Sequence, residues 1–382
     1  LAAVSTPHAT EPEPFAAALD DLYAAHLDRL PAGTDWFDAH THTGANDPDG
    51  FKATPREILA GLDMAGHARA LVFSSADPAG YRAANDRVLA EATDSGGRLV
   101  ALARLDPHAD AVEEASRCLE SGAAGFKLHP RAEGFAMSEP AVEDVVALAH
   151  ERRLPVMIHA GRGIPALGRD TIALARRYPG ARLILAHCGI SDLAWIWREL
   201  GDCPNLLFDT AWWNVADVIA LLALVPPGHI LYASDMPYGH PVFNGLALMR
   251  CGQAVGLSPD TIAQIAGGQL ARLLDGDEPS DLGPAPGPPT QAPPASAPRV
   301  VQHLTGAISR TMGGGNPAEP LALARLACDV HEDDPEQPLL SRVDTMIAAS
   351  EAAVPGLPGS LRDVVGPAVC AALLAGTPQV SV

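Results

Sequence analysis

The sequence predicts an α/β chain built on a (β/α)8 barrel, and three observations carry that expectation. Short apolar runs recur at fairly regular intervals from residue 36 to residue 235, longer segments of helical spacing fill the gaps between them, and the runs are continuous rather than alternating. Strands covered by helices on both faces need apolar side chains at nearly every position. Continuous runs therefore point to a parallel sheet, and their alternation with helical segments points to repeated βα units.

Taken in order, the strands read as WFDAHTH (36–42), ARALVFSS (68–75), LVALARL (99–105), AGFKLH (124–129), PVMIHA (155–160), RLILAHC (182–188), NLLFDT (205–210) and ILYASD (230–235). Helical segments lie between them: PREILAGLDMAG, AANDRVLAEAT, DAVEEASRCLESG, EPAVEDVVALAHERR, GRDTIALARRY and VADVIALLALV. Residues 35–277 have the size of one such barrel. Ahead of it, within residues 1–34, Phe15, Leu19, Leu22, Leu27 and Leu30 fall near helical spacing and read as a leader helix laid against the main domain. Behind it, residues 278–299 contain SDLGPAPGPPTQAPPASAP, whose Pro and Gly sustain neither helix nor ladder, and read as a linker. Residues 300–382 regain helical spacing, as in Leu339, Val343, Met346 and Ile347 or Leu361, Val364, Val365 and Ala368. They read as a helical module docked on the barrel or on a second copy of the chain, the expected route to a homo-oligomer. The glycines of TMGGGNP (311–317) lack the Lys-Ser/Thr of a phosphate loop and read as a turn.

Composition narrows the function. A chain of 382 residues, 47% of them hydrophobic, buries a large core, which excludes disorder throughout. The formal charge of −20 would repel nucleic acid and anionic membrane surfaces, so neither is an expected partner. Six cysteines stand far apart with no CxxC pair, which suggests neither a disulfide framework nor a thiolate zinc site, and places the chain in a reducing cytoplasm. No basic segment leads into an apolar run and no apolar stretch reaches ~18 residues, so neither signal peptide nor membrane span is expected.

Barrels of this kind build their sites at the carboxyl ends of the strands. Strand one ends in His40-Thr41-His42, and a period of two turns both imidazoles to one side. Lys127 and His129 end strand four, His159 strand five, His187 strand six and Asp235 strand eight. A single histidine at a strand end is more often a satisfied structural group than a ligand, but that reading does not cover a whole set of strand ends. Imidazoles and a carboxylate in a tight shell with one position left open suit Zn²⁺, which lowers the pKa of its bound water to roughly 7.

The motifs FDAHTH, GFKLHP, PVMIHAG, LILAHCG and YASDMPYG, in that order over about residues 36–275, resemble the amidohydrolase superfamily. The resemblance is to its amidohydrolase-related branch, which includes aminocarboxymuconate semialdehyde decarboxylase. It implies that His40, His42, His159 and Asp235 bind the metal, that His187 contacts the substrate or the attacking water, and that Asp235 shuttles the proton. In binuclear members a carboxylated lysine at the end of strand four bridges two ions, and Lys127 stands at that place. One zinc ion is favoured over two, because a single ion is the common arrangement in this branch.

Lys127 and His129 share one strand face, so a second use for both is to bind an acidic substrate group or stabilise an oxyanion. Arg104, Arg162 and His240 are candidates to grip a substrate carboxylate, with rim salt bridges as the plainer alternative. Trp212 and Trp213 offer an aromatic wall to a flat substrate or simply pack at the rim, and His229, at the opposite end of the barrel, reads as structural. The leading function on these grounds is hydrolysis of a C–N or C–O bond in a small-molecule amide, lactam, lactone or ester. Metal-activated water attacks, Asp235 moves the proton and His187 stabilises the oxyanion. The alternative is non-oxidative decarboxylation of an aromatic or enoic acid, toward which Arg104, Arg162 and the tryptophans lean as binders of an acidic, planar substrate. A third reading, an inactive barrel used as a scaffold, sits poorly with the intact ligand set.

Overall fold

The computed structural model describes residues 14–48, 50–291, 293–358 and 361–381. The first thirteen residues of the leader segment, the Phe15 side chain and Ala292 of the Pro-rich segment lie outside that description. Nine strand segments occupy eight barrel positions: β1 (Phe37–Thr43), β2 (Arg69–Ser74), β3 (Leu99–Ala101), β4 (Ala103–Arg104), β5 (Phe126–Leu128), β6 (Pro155–Ile158), β7 (Arg182–Leu185), β8 (Leu206–Asp209) and β9 (Ile230–Leu231). Every pairing is parallel and each strand lies beside its neighbour in sequence.

β3 and β4 are two halves of the third position, parted at Leu102, whose N–H donates to Val72 O at 2.9 Å while Ala103 N–H donates to Gly125 O at 2.9 Å. The ring closes between its last and first positions. Ala39 N donates to Tyr232 O (2.9 Å), Asp235 N to His40 O (2.9 Å) and His42 N to Met236 O (2.7 Å). This is the (β/α)8 barrel expected from the sequence.

Helices connect successive strands over Pro55–Ala65, Arg82–Asp94, Ala111–Glu120, Pro140–Arg152, Leu167–Arg177 and Val215–Leu224, and Pro241–Ala254 follows β9. The first shows why the boundaries fall where they do. Thr54 accepts from Glu57 N while the Glu57 carboxylate accepts from Thr54 N, Pro55 opens the helix, and Gly66 closes it at φ 67°. This capping box satisfies amide groups that the first turn would otherwise leave open.

Register decides what faces the barrel axis. Arg104, Lys127, Met157, Ile184 and Leu207 stand side by side across β4 to β8 and so share one face. In β1, Phe37 is level with Arg69 but His42 is level with Phe73, an irregularity that inserts one residue between Asp38 and Thr41. An added residue inverts the alternation of side chains. His40 and His42 therefore turn to the same face as Phe37, although their spacing from it is odd. Below them the interior is apolar, with Phe37, Leu71, Phe73, Leu102, Met157, Ile184, Leu207 and Leu231 in one buried cluster.

The remaining helices form a separate unit. Helix Pro14–Leu27 groups there with Ala297–Met312, Ala318–Cys328, Gln337–Ala353 and Leu361–Gly376. The leader helix, expected against the main domain, thus makes its cluster with the C-terminal helices, packing on Gln337–Ala353. In it Leu22, Val300, Leu304, Leu321, Val343, Ile347 and Leu374 are buried. TMGGGNP forms the turn between two of these helices.

The Pro-rich segment carries no helix or strand through residue 291, but its first part is tied to the barrel unit. Gln269 brackets Ser280 through both backbone groups at 3.0 Å, and Gly287 N donates to Ala223 O at 3.0 Å. Among the described residues no helix is long and apolar enough to cross a membrane, and all six cysteines are free and buried.

Candidate metal centre

Three ligand atoms meet at the mouth of the barrel. His40 Nε2 lies 3.0 Å from His42 Nε2, and Asp235 Oδ1 lies 3.2 Å from each of them. Both imidazoles are buried and the carboxylate side chain is 17% exposed. Donors at ~2.0–2.1 Å from a tetrahedral ion are ~3.3 Å apart, so this spacing is that of a first-row metal shell. Asp235 adopts φ 58°, in the left-handed region that non-glycine residues rarely enter, and His187 does so at φ 57°. The loops after β9 and β7 thus hold both side chains against a backbone preference, as functional loops often do.

Hydrogen-bond partners fix which nitrogens are free. Asp209, at the end of β8, is fully buried; its Oδ2 lies 2.7 Å from His40 Nδ1, while its Oδ1 accepts from His187 N at 2.7 Å and Ala211 N at 3.0 Å. With His40 Nδ1–H donating to this carboxylate, its Nε2 presents a lone pair to the cluster. The carboxylate–imidazole pair is the arrangement that orients metal-bound histidines. A second carboxyl, Asp38, accepts from His40 N at 3.0 Å and Ser234 N at 2.9 Å, fixing the backbone where β1 meets the last position.

His187 extends the chain of contacts. Its Nδ1 stands 2.8 Å from the Ala211 carbonyl, which only accepts, so that nitrogen carries the proton. Its Nε2 must then accept from His159 Nδ1 at 2.9 Å, which leaves the lone pair of His159 on Nε2. That atom is buried and has no hydrogen-bond partner among the described residues. His129 stacks on the His159 ring at 3.8 Å and caps the turn that follows β5 by accepting from Ala132 N. Gly161 is required beside them, since a Cβ there would lie 2.5 Å from His159 Nε2.

Burial sets the charge states. It holds the His40, His42, His129 and His159 imidazoles well below their ordinary value, and lowers His187 against the opposing pull of Asp209. All five are neutral at pH 7 and able to ligate or accept. Burial also lifts the Asp235 carboxyl far above the carboxylate range, opposed by Lys127, and pushes Asp38 up to about 7. Lys127 is lowered by burial, with Asp209 and Asp235 opposing. Its Nζ lies 3.4 Å from His40 Nε2 and 4.6 Å from the Phe73 ring centroid. Two neutral imidazoles and a buried carboxyl crowded at about 3 Å are stable together only with a cation or proton among them. The donor set therefore fits a divalent first-row ion.

The structure gathers His40, His42 and Asp235 into one group of ligand atoms; His159 stands outside that group and reaches it through His187. The candidates farther out divide. Arg104 is buried in an ion pair with Glu133 at 2.7 Å, donates to Ser74 O at 3.2 Å and lies over the Tyr81 ring, so its guanidinium is already engaged. His240 caps helix Pro241–Ala254 by accepting from Val242 N at 3.2 Å. Arg162 lies over Trp212 and Trp213, and Trp212 sits 5.9 Å from His187. His229 bonds Leu206 O at 2.7 Å, at the end of the barrel where strands begin. Asp209 was not among the sequence candidates, although it stands in NLLFDT, where an acidic residue closes an apolar run as Asp235 does in ILYASD.

A family model described as amidohydrolase matches residues 37–274. Solved structures share the fold. A 2,6-dihydroxybenzoate decarboxylase complexed with 2,6-dihydroxybenzoate is 16% identical, covers 63% of this chain and 98% of its own, with TM-score 0.51. The 5-carboxyvanillate decarboxylase of Sphingomonas paucimobilis is 17% identical over 64% of this chain and 99% of its own (TM-score 0.50). An uncharacterized TIM-barrel protein of Bordetella bronchiseptica is 14% identical over 63% and 99% (TM-score 0.52). No curated protein sequence matches the chain at a significant level. With a barrel closed in chain order, ligand atoms of His40, His42 and Asp235 grouped at its mouth, and a family match over most of its length, the chain belongs to the amidohydrolase family.

Proposed function

We propose that this barrel is a metal-dependent, non-oxidative decarboxylase of a planar aromatic or enoic acid. The observation that carries the reading is Lys127. Its amine is fully buried, faces the ligand cluster and rests on the electron-rich face of Phe73. A ring face attracts an ammonium and repels an anion, so this setting suits an amine that receives a substrate carboxylate and disfavours a carboxylated lysine bridging two ions. His187 speaks the same way, since both its ring nitrogens are engaged, with Ala211 O and with His159 Nδ1, rather than open to a second ion. Two of the structures that share the fold are decarboxylases, which supports placing decarboxylation ahead of the hydrolysis favoured by the motifs alone.

His40, His42 and Asp235 would hold the ion. When bound, such an ion supplies Lewis acidity to substrate oxygens. Lys127 orients the carboxylate and neutralises its charge while the acid is bound. Asp235, which lies 3.9 Å from His187 Nδ1, delivers a proton to the carbon bearing that carboxylate. The C–C bond then breaks, its electron pair returns to the ring or alkene, and CO2 departs. Asp235 regains its proton from solvent. Trp212, 5.9 Å from His187, would flank a flat substrate bound at the site.

The test is CO2 release. Protein loaded with Zn²⁺ or Mn²⁺ is offered hydroxybenzoic and enoic acids in one panel and esters, lactones and amides in another. Decarboxylation of members of the first panel is expected. Hydrolysis in the second panel with no CO2 from the first would restore the hydrolase reading.

A further inference from the structure

Arg162 follows β6 in a loop held by Ser191, whose hydroxyl donates to Gly161 O and, at 3.3 Å, to Ala160 O. Its guanidinium carbon lies 5.4 Å from the Trp212 ring centroid and 5.8 Å from that of Trp213, with the two indoles 5.7 Å apart. Trp212 is itself fixed, donating from Nε1 to Asp217 at 2.7 Å, and its ring stands beside His187. The guanidinium therefore sits on a rigid aromatic bed at the mouth of the barrel.

Its partners are aromatic rather than acidic. Acidic residues outnumber basic ones 46 to 26, and Arg69, Arg98, Arg104, Arg117 and Arg176 each hold a carboxylate. Arg162 has no carboxylate partner among the described residues, and it is exposed. Stacking on indole engages the flat face of a guanidinium and leaves the N–H groups on its edge free. Those groups match a carboxylate as a fork. In a molecule whose overall field repels anions, an uncompensated cation at the mouth is a local device for receiving one.

We propose that Arg162, carried on the Trp212–Trp213 pair, binds a second carboxylate of the substrate, so that the chain selects planar diacids over monoacids. The inference rests on the decarboxylase reading for the first carboxylate, which goes to Lys127 and the ligand cluster. Trp212, 5.9 Å from His187, connects the Arg162 bed to the site. Arg162 is thus a specificity-determining residue that touches no reacting atom.

Binding to the full Zn²⁺-loaded chain, followed by calorimetry, tests this with benzoate and benzene-1,3-dicarboxylate as probes. The diacid is expected to bind at least ~10-fold tighter than the monoacid, the scale of one added charge-assisted fork. R162Q should abolish that preference while leaving benzoate within about twofold, and R162K should restore only part of it, since an ammonium lacks the fork. No preference for the diacid in the unaltered chain, including no binding of either probe, overturns the proposal, as does a preference that survives R162Q. An Arg162-dependent preference with no CO2 from any acid would keep the anion site and sink the decarboxylase reading. CO2 release with a diacid preference that R162Q leaves unchanged would do the reverse.

Discussion

Replacing Asp209 by Asn should weaken metal binding although Asp209 touches no metal position. The carboxylate accepts on both oxygens, from His40 Nδ1 on one side and from the His187 and Ala211 amides on the other. An asparagine amide offers one oxygen and one NH2. If the oxygen keeps the two backbone amides, the NH2 faces His40 Nδ1 and drives the imidazole proton to Nε2, the nitrogen aimed at His42 and Asp235. If the amide turns over, two buried N–H groups lose their acceptor at ~1–3 kcal/mol each. The first arrangement costs less, and its consequence is a His40 that cannot ligate until it changes tautomer. Loss of such a carboxylate partner typically weakens affinity by ~10–100-fold, or about 1.4–2.7 kcal/mol. Competition against a chromophoric chelator reads this directly on D209N and the unaltered chain. Equal affinities in two folded proteins would refute the tautomer argument and the place given to Asp209.

Asp235→Asn is expected to keep most of its metal on the remaining imidazoles while losing at least ~10²-fold in kcat on an identified substrate, which parallel metal analysis and turnover would show. His67, buried and stacked on Trp36 at 4.6 Å, is pushed down to about 3 by burial, with His240 a smaller cause. The unfolded chain takes up that proton near 6.5 and the folded one does not, so stability is complete above pH 6.5 and falls as pH drops toward 3. At ~1.36 kcal/mol per unit the term amounts to a few kcal/mol, and H67F should flatten the melting temperature measured between pH 6.5 and 4; an unchanged slope would count against it. Limited digestion with a nonspecific protease should cut after Gly287, since Gln269 and Ala223 tie down the earlier part of the Pro-rich segment. First cuts before Ser280 would show those ties to be weak.

The barrel was legible because its signal is redundant: eight apolar runs separated by helical segments leave few alternatives, and the runs map onto the observed positions even where β4 and β9 shrink to two residues. The site was legible as residue types, less so as geometry. Period-two reasoning places side chains only while a ladder continues, and β5, β6, β7 and β9 end before His129, His159, His187 and Asp235. The following loops aim these side chains, two of them through positive φ. In β1 the inserted residue reverses the alternation that the apolar Phe37 would suggest, and so His40 and His42 point inward with it. Arg104 could not be assigned from sequence because its partner, Glu133, stands 29 positions away, in the helical turn after β5. Asp209 was overlooked because a lone carboxylate at a strand end says nothing of which imidazole it will meet. The leader helix shows the same limit, since an apolar face gives no information about which unit covers it.

Metal content of the purified chain bears most directly on the proposed centre. Elemental analysis after purification without added metal is expected to give about one equivalent of a first-row divalent ion, lost together with activity in H40A. Two equivalents with Lys127 carboxylated would contradict the single-ion centre described here, and full activity in a metal-free preparation would contradict the centre altogether.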